Sequence, residues 1–512
     1  MADTKGPSDS KDFTVTIDEV AYESESTSPT PSLPPHPPPR PNLLERCSLF
    51  IQEWTPFTLV LSYFIFSTCL YTICSEGLIA VFWFVYMATN FYIASMTVFE
   101  AFLSIIPCRE ARKAVSKLEA SGWKFPTKDD ELLILDIIIV AYLPNEKDII
   151  MDRAFYALDK IEYPRDKLRI NIVYNTPYPI EPLETELHQL AAKYSELRVI
   201  RVPNSKSKAD NLNYFFTLNT GSDVIAIYDC DHYMHPHGPR WAIERFKKDP
   251  KVDIVQGRCV VFNSGENFLT SMISVEFDKI YAVSHPGRAK QWGFGLFCGS
   301  NGYWRTSLIK DLKMDESMLT EDIDSALRAV SRGAKTVHDL NVVSYELAPT
   351  NFQSFWKQRL RWAQGWTQAS IRHLELSYKR VRMEGLERNF RVRFGLISLL
   401  LIREWSYYLV TQYTCLVLSF LITKFPSTVA ELARLVYFQY PVSQWLLIVS
   451  IVCLLATLWI TNRAKSEFAT PWMIVVFSLL YPVYLIINAT IGLYGHARQV
   501  INYSSWNPTA RS

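Results

Sequence analysis

Long apolar blocks flank a mixed central region in this chain, and this segregation limits the folds that it can adopt. Two blocks precede the central region and three follow it, at residues 56–73, 78–99, 394–423, 443–460 and 471–493. About 20 apolar residues in a helix are enough to cross the hydrocarbon core of a bilayer. The pattern predicts two transmembrane helices within 56–100, about three within 394–495, and a separate domain at 128–375.

Basic residues lie next to the apolar blocks, on the side of the central domain. Arg109, Arg112, Lys113 and Lys117 follow the second block, and another basic run occupies 379–393. Positive charges beside membrane helices favour the cytosolic side. We therefore expect a multi-pass protein of the cell membrane whose central domain lies in the cytosol.

Both ends of the chain are polar. Residues 1–45 are rich in Ser, Thr and Pro. Such a stretch buries too little apolar surface to offset the entropy of ordering it, so we expect a disordered cytosolic tail. Residues 496–512 form a second, C-terminal tail. The acidic, polar start of the chain does not have the pattern of a secretory signal peptide.

Charge and cysteine usage exclude several classes of function. The net charge is +2, so no basic field favours nucleic acid as a partner. The nine cysteines are scattered without a C-x-x-C pair, so we expect neither a zinc module nor a disulfide framework.

The central region has the pattern of an α/β domain. Continuous apolar, β-branched runs predict buried strands at 134–140, 169–174, 197–202, 224–228 and 254–262. Amphipathic helical stretches lie between the first several of these runs. Alternation of this kind predicts an open, mostly parallel sheet with a ligand at the carboxyl ends of its strands.

Two carboxylates, Asp229 and Asp231, directly follow the strand predicted at 224–228. At a strand end, this spacing lets both side chains reach one hard cation, and Mg²⁺ or Mn²⁺ bound to a diphosphate fits that chemistry. A turn capped by an aspartate has the same pattern. His232, His235 and His237 follow, and a solvated loop is the favoured interpretation over a metal-hydrolase site, although one of them could assist the same cation.

A second acidic group, Thr320-Glu321-Asp322, precedes an amphipathic helix that includes Leu327 and Val330. A carboxylate at this position is either a helix cap or a general base held near its reaction partner.

The stretch 352–374 combines Phe and Trp residues with Lys and Arg, as helices at a membrane interface do. Gln358, Arg361 and Trp362 are spaced to share one face of this helix. Arginine suits a pyrophosphate, and tryptophan can stack on the apolar face of a sugar. An amphipathic helix with ordinary interfacial aromatics is the alternative interpretation.

Taken together, these motifs resemble those of the family 2 glycosyltransferases, in particular the membrane-embedded synthases of hyaluronan, cellulose and chitin, and the fungal branch most closely. The family pattern of D-x-D, T/E-E-D and Q-x-x-R-W is similar to 229–231, 320–322 and 358–362 here. Three further segments, 141–146, 208–213 and 297–302, resemble the first nucleotide-contacting loop, the K-A-x-x-L-N segment and the loop that seats the acceptor sugar.

The resemblance implies a GT-A-like α/β domain inserted in a polytopic α-helical membrane protein, with roles for named residues. Catalytic roles fall to Thr320, Glu321 and Asp322, with Asp322 as the base. Donor binding falls to Asn145, Glu146, Asn175, Lys208, Asp229, Asp231 and Arg361, of which Asp229 and Asp231 hold Mg²⁺ or Mn²⁺. Acceptor binding falls to Gly299, Ser300, Asn301, Gln358 and Trp362.

Two segments depart from the family pattern. Asn175 stands where paired aspartates usually contact the uridine, which bears on the identity of the nucleotide. Residues 506–511 are similar to the gating segment of hyaluronan synthases, with altered spacing, but three spans after a cytosolic domain would place them outside. Asn502 begins a glycosylation sequon, which is usable only if this tail is extracellular.

Three functions remain open at this stage. The first is an inverting polysaccharide synthase that uses a nucleotide sugar, expected to be a UDP-sugar, and moves the growing polysaccharide across the membrane. The second is a non-processive transferase that acts on a membrane lipid. The third is a catalytically inactive scaffold or transporter subunit, which the intact acidic motifs disfavour.

Overall fold

The computed structural model describes residues 43–379, 390–437 and 441–502. The predicted disordered tail therefore lies almost entirely outside the described residues, as does the segment 506–511. The helices are α1 (Leu43–Ile73), α2 (Glu76–Ala120), α3 (Leu143–Glu146), α4 (Ile150–Lys160), α5 (Leu183–Lys193), α6 (Lys208–Thr217), α7 (Gly238–Lys248), α8 (Phe268–Phe277), α9 (His285–Trp292), α10 (Thr306–Leu312), α11 (Glu321–Ser331), α12 (Phe352–His373), α13 (Phe390–Ile397), α14 (Arg403–Thr423), α15 (Val429–Tyr437), α16 (Pro441–Ala464) and α17 (Pro471–Val500).

One eight-stranded sheet forms the centre of the domain between the apolar helices. Its strands are β1 (Leu135–Tyr142), β2 (Leu168–Asn175), β3 (Leu197–Arg201), β4 (Val224–Asp229), β5 (His232–Met234), β6 (Ile254–Val261), β7 (Gly302–Arg305) and β8 (Thr336–Glu346). Their spatial order is β3-β2-β1-β4-β7-β6-β8-β5. The first four are parallel to one another, whereas β7 runs antiparallel to both β4 and β6.

The order of the parallel strands positions the site. From β1 the chain first builds outwards to β2 and β3, and β4 then returns to the other side of β1. Such a reversal separates the loops that leave the two neighbouring strands and opens a crevice at their carboxyl ends. The segment after β1 and the carboxylates after β4 border this crevice.

Apolar side chains cover both faces of the sheet. One cluster packs β1, β2 and β4 against α4, α5 and α7, and it includes Ile137, Ile139 and Ile172. The other packs the opposite face against α6, α10 and α11, and it includes Ile138 and Ile227. Because successive strand residues point to opposite faces, a strand buried on both sides must be continuously apolar, as β1 is.

Five helical segments of the described chain are long and apolar enough to cross a membrane: Arg46–Ile73, Glu76–Ala120, Phe390–Thr423, Gln444–Ala464 and Pro471–Val500. The third contains a π-helical segment, Ser398–Ile402, between α13 and α14. The fold class predicted from the sequence, a GT-A-like α/β domain between apolar helices, is confirmed. The number of spans and their orientation stay predictions.

Candidate active site

One cavity of about 630 Å³ opens at the crevice beside β1 and β4 and continues to the apolar helices. This volume is in the range of small-molecule sites in proteins. Every residue predicted to have a catalytic, donor, acceptor or metal role lines it, except Asn145 and Asn301. The segments that supply these side chains are far apart in the chain, and the sheet brings them together.

Asp229, Asp231 and His232 form a group with the composition of a cation site. Each offers one ligand atom, and these atoms lie within 4.8 Å of one another. The His232 Nδ1 lies 3.0 Å from the Ser344 hydroxyl, while Nε2 lies 3.7 Å from Asp231 and from Glu346. Carboxylate oxygens with an imidazole suit Mn²⁺ or Mg²⁺, so the residues fit the predicted divalent cation.

The other two histidines of this segment lie away from the carboxylates. The His237 ring stacks on Trp123 at 3.9 Å between centroids, and the His235 ring lies 5.9 Å from that of His237. Burial lowers the pKa of His235 to about 4, so this histidine stays neutral at physiological pH.

Lys208 connects three parts of the site. Its ammonium lies 2.5 Å from Asp229 and 3.9 Å from Glu321, and it donates a hydrogen bond of 2.7 Å to the Gly299 carbonyl. Burial opposes this charge, but Asp229 and Glu321 outweigh burial and raise the pKa of Lys208 above its ordinary value. Conversely, burial favours the protonated form of Asp229, but Lys208 holds its pKa below the usual range.

Asp322 faces the cavity at the first turn of α11. Burial, reinforced by the neighbouring charge of Glu321, raises the pKa of Asp322 to about 7. A carboxylate with this pKa is about half ionised at neutral pH and can accept a proton there. The geometry therefore suits a general base better than a helix cap, and Thr320, at the N-cap position of α11, makes no capping hydrogen bond through its side chain.

Gly299 allows the loop before β7 to approach Asp322. Its φ angle is +87°, and a Cβ at this position would lie 3.0 Å from the Asp322 Oδ2. The neighbouring Ser300 hydroxyl accepts a hydrogen bond of 3.2 Å from the Asp229 amide. The loop that resembles an acceptor seat therefore lies between the two acidic motifs.

The α12 helix carries Gln358, Arg361 and Trp362 to the opposite wall of the cavity. The Arg361 guanidinium donates to the Leu319 carbonyl at 3.4 Å, which places it beside the turn that precedes Asp322. Gln358 Oε1 and Arg361 Nε are buried without a hydrogen-bond partner among the described residues. Both groups can therefore accept or donate a hydrogen bond when a polar ligand enters.

Close contact between α12 and the acidic turn depends on a glycine. A Cβ at Gly365 would lie 2.5 Å from the Thr320 side chain. Any larger residue here would push α12 away from the Thr320–Asp322 turn, so Gly365 sets the width of the cavity between these two walls.

The part of the cavity beside the end of β2 contains two amides. Asn175 donates to the Ser205 carbonyl at 3.1 Å and accepts from the Asn211 amide at 2.9 Å. Asn211 Oδ1 is buried without a hydrogen-bond partner among the described residues. Glu146 accepts from the Tyr142 backbone amide at 2.7 Å and so fixes the start of the segment after β1.

Asn145 and Asn301 differ from the other predicted site residues in where they lie. Asn145 is in α3 but does not line the cavity. Asn301 is fully buried in the sheet, where its amide donates to the Val342 carbonyl at 3.0 Å and accepts from the Tyr228 hydroxyl at 2.8 Å. Asn301 therefore supports the loop that carries Gly299 and Ser300 from below.

Several lining residues could not be recognised in the sequence. Arg359 pairs with Glu276 at 2.5 Å, and its guanidinium lies 4.5 Å from the centre of the Trp362 ring. Towards the apolar helices, the lining includes Tyr92 and Met96 from α2, Tyr407 from α14, and Asn488 and Ile491 from α17. Each belongs to a segment whose apolar pattern gives no sign of a polar cavity.

A protein-family model described as glycosyl transferase family group 2 matches residues 224–487, more than half of the chain. The chain belongs to this family. The matched residues include the acidic motifs at Asp229 and Asp322 and the whole of α12. The glycosyl transferase predicted from the sequence is thereby confirmed, and with it an enzyme rather than an inactive scaffold as the class of the chain.

Three curated relatives are similar to parts of the chain. The probable glycosyltransferase YdaM of Bacillus subtilis is 26% identical over 239 residues, which cover 46% of this chain and 56% of YdaM. Glucomannan 4-beta-mannosyltransferase 2 of Arabidopsis thaliana is 28% identical over 292 residues, or 53% of this chain and 52% of the relative. Cellulose synthase 1 of Komagataeibacter xylinus is 26% identical over 262 residues, or 50% of this chain and 16% of the relative.

These matches span less than two thirds of each relative's length. The predicted likeness to cellulose synthases is confirmed at the level of the family. Membership of the fungal branch and processive action stay predictions.

Proposed function

We propose that this glycosyltransferase inverts the configuration at the anomeric carbon of a nucleotide diphosphate sugar and polymerises the sugar into an extracellular or cell-wall polysaccharide. The observation that carries the proposal is the single cavity that extends from Asp229 and Asp322 to side chains of the apolar helices. Tyr407 and Asn488 of the apolar helices line the same cavity as Trp362. Relatives named as a cellulose synthase and a glucomannan mannosyltransferase support a polymeric product.

The donor binds with its diphosphate near Asp229 and Asp231 and its base near Asn175 and Asn211. Asp229, Asp231 and His232 would hold Mg²⁺ or Mn²⁺, which supplies positive charge to the diphosphate when bound. Lys208 and Arg361 supply fixed positive charge from the protein itself. A UDP-sugar is the proposed donor.

Asp322 removes the proton from an acceptor hydroxyl as that oxygen attacks the anomeric carbon. The new bond joins this oxygen to the anomeric carbon, and the bond to the diphosphate breaks on the opposite face, so the configuration inverts. The proton remains on Asp322, and the diphosphate leaves beside Arg361. Preorganised charge at a leaving group is usually the largest electrostatic contribution to such a step. Trp362 stacks on the acceptor sugar and holds its hydroxyl towards Asp322.

The proposed location is the cell membrane, with the domain in the cytosol, where nucleotide sugars are made. The basic residues after the second apolar block and before the third support this orientation. In this arrangement the apolar helices surround the exit of the cavity and contact membrane lipid.

Transfer to a membrane lipid is the second candidate function, because Leu399 and Ile402 line the cavity where it meets the apolar helices. The deciding experiment incubates the purified protein in lipid with uridine-linked sugars and Mg²⁺ or Mn²⁺ and then sizes the product. A high-mass polymer is expected, and the Asp322→Asn variant is the control. An organic-extractable glycolipid as the sole product would replace the first proposal by the second.

A further inference from the structure

The α17 helix is apolar enough to span a membrane, but its start is attached to the catalytic domain. Just before it, the Ser466 amide donates to Asp278 at 2.9 Å, and the Phe468 carbonyl accepts from the Ser264 hydroxyl at 2.6 Å. In its first turns, Ile474 and Phe477 pack in one cluster with Met272 and Val275 of α8, and other residues of this cluster belong to α16.

The middle and end of α17 also contact the domain. The Tyr484 hydroxyl donates to Glu276 at 2.7 Å. Further on, the Tyr494 ring lies 6.3 Å from that of Trp356. A Cβ at Gly495 would lie 3.0 Å from the Gln364 amide nitrogen, so the glycine allows the two backbones to approach.

These contacts follow α12 in one direction. Tyr484 contacts Phe355, and Gly495, eleven residues later, contacts Gln364, nine residues after Phe355. At about 1.5 Å of rise per residue, the two helices run side by side for roughly 14–16 Å. A helix that left the domain for the far side of a bilayer would lose contact with α12 within one or two turns.

The last turns of α17 also contact the near end of α14. His496 Nε2 lies 2.6 Å from Glu404, in the first turn of α14, rather than beside Thr423 at its far end. The face of α17 that points away from the domain is apolar, with Trp472 70%, Leu479 74% and Val483 56% exposed. Lipid is the environment that such a face requires.

We propose that α17 lies along the membrane-facing surface of the catalytic domain, with both of its ends on the domain's side, and that it holds α12 in place. This arrangement leaves four spans, α1, α2, α14 and α16, in place of the five that length and composition allow. Asn502 then lies on the same side as the active site and stays unglycosylated.

The contact at Tyr484 gives α17 a positioning role. Glu276 accepts from Tyr484 and pairs with Arg359, whose guanidinium stacks on Trp362. Loss of the Tyr484 hydroxyl would allow Glu276 to shift. The Arg359 guanidinium, which pairs with Glu276 and supports the Trp362 ring, would then shift as well. This part of the inference rests on the proposed function, because it takes Trp362 as the residue that holds the acceptor.

The side of Asn502 is tested by labelling cells with a membrane-impermeant maleimide. Single cysteines are introduced as Asn502→Cys, as Asp130→Cys in the catalytic domain, and as Phe425→Cys between α14 and α16. The background replaces Cys47, Cys69 and Cys74 by Ser. We expect Asn502→Cys to label in permeabilised cells and not in intact cells, as Asp130→Cys should. Labelling of Asn502→Cys in intact cells, as expected for Phe425→Cys, would overturn the placement of α17, whatever product the enzyme makes.

The positioning role is tested with Tyr484→Phe, which removes the hydrogen bond to Glu276, and Tyr481→Phe, three residues earlier on the same helix, is the matched control. The measurement is the ratio of transfer to acceptor over hydrolysis of the donor by water, since hydrolysis does not need Trp362. We expect the ratio to fall about tenfold in Tyr484→Phe, the effect of one hydrogen bond to a charged group. An unchanged ratio would overturn the positioning role, and protein without transferase activity would instead overturn the proposed function.

Discussion

The two halves of the cavity are built on different principles. On the proposed donor side, the end of β4 and the start of α6 hold charged groups, and Lys208 lies 2.5 Å from Asp229. On the membrane side, long helices bring together aromatic rings, hydroxyls and Arg403, whose guanidinium lies 4.1 Å from the centre of the Trp366 ring. From this difference we propose that the donor half determines whether transfer occurs, and that the membrane half determines the acceptor and the length of the product.

Substitution of the proposed base gives the largest expected effect. Asp322→Asn should reduce transfer by about 10²–10⁴-fold, as loss of a positioned general base does. Donor binding should be retained, because Asp229 and Lys208 are untouched. Nucleotide diphosphate release from protein in lipid measures the rate, and the exposed Asp311→Asn is the control. A native rate in Asp322→Asn would show that Asp322 is not the general base.

Loss of the Lys208 ammonium group should give the next largest effect. Lys208→Met removes the partner of Asp229 and the donor to Gly299, so the KM for the donor should rise about 10–100-fold. The exposed Lys206→Met, two residues away, should leave this KM unchanged. Equal KM values in the two variants would show that Lys208 serves the fold and not the donor.

The pH dependence should follow Asp322. Because the base works only when it is deprotonated, and its pKa is raised to about 7, the rate should be half-maximal near pH 7 and level off above it. The negative charge of Glu321 contributes to this shift, so Glu321→Gln should move the acidic limb to lower pH. Rates at saturating donor across pH 5–9 provide the measurement. An acidic limb that moves to higher pH would contradict the assignment.

The smallest effect on chemistry is expected in the membrane half. Glu404→Gln weakens the interaction with His496, so the midpoint of thermal unfolding should fall by about 1 °C for each kcal/mol lost, because the entropy of unfolding increases with chain length. The KM for the donor should not change, because Glu404 lies away from Asp229 and Lys208. A large increase in this KM would show that the membrane half also affects donor binding and would contradict the proposed division of roles. Glu431→Gln, exposed on α15, is the control for unfolding.

The sequence predicted the four parallel strands β1 to β4 together with β6, but not β5, β7 or β8. The five runs of apolar residues correspond to β1, β2, β3, β4 and β6, because strands covered on both faces must be apolar throughout. The long β8 strand was not predicted, since it contains His338, Asp339 and Asn341. These polar residues are tolerated because neighbours satisfy them, as Arg245 does for Asp339.

The site divides in the same way. Residues that directly follow strands, such as Asp229, could be placed because strand ends meet at one edge of the sheet. Asn301 was predicted to contact the acceptor, but its amide is bonded within the sheet, a fact that depends on Tyr228 and Val342. Glu276, Arg359 and Tyr484 could not be predicted to meet, because they lie on three helices whose packing no local pattern determines.

The π-helical segment Ser398–Ile402 has a consequence for the helix that follows it. One residue in an α-helix turns the side chains by about 100°, and a π turn accommodates one residue more than an α turn does. Because the extra residue is contained in one wide turn, its removal would restore an α-helical turn and leave Arg403 and Tyr407 in phase with α13. The same deletion within the regular turns of α13 would instead rotate both side chains by about 100° relative to Val392. The π segment can therefore absorb a change of chain length that the α-helical turns beside it cannot.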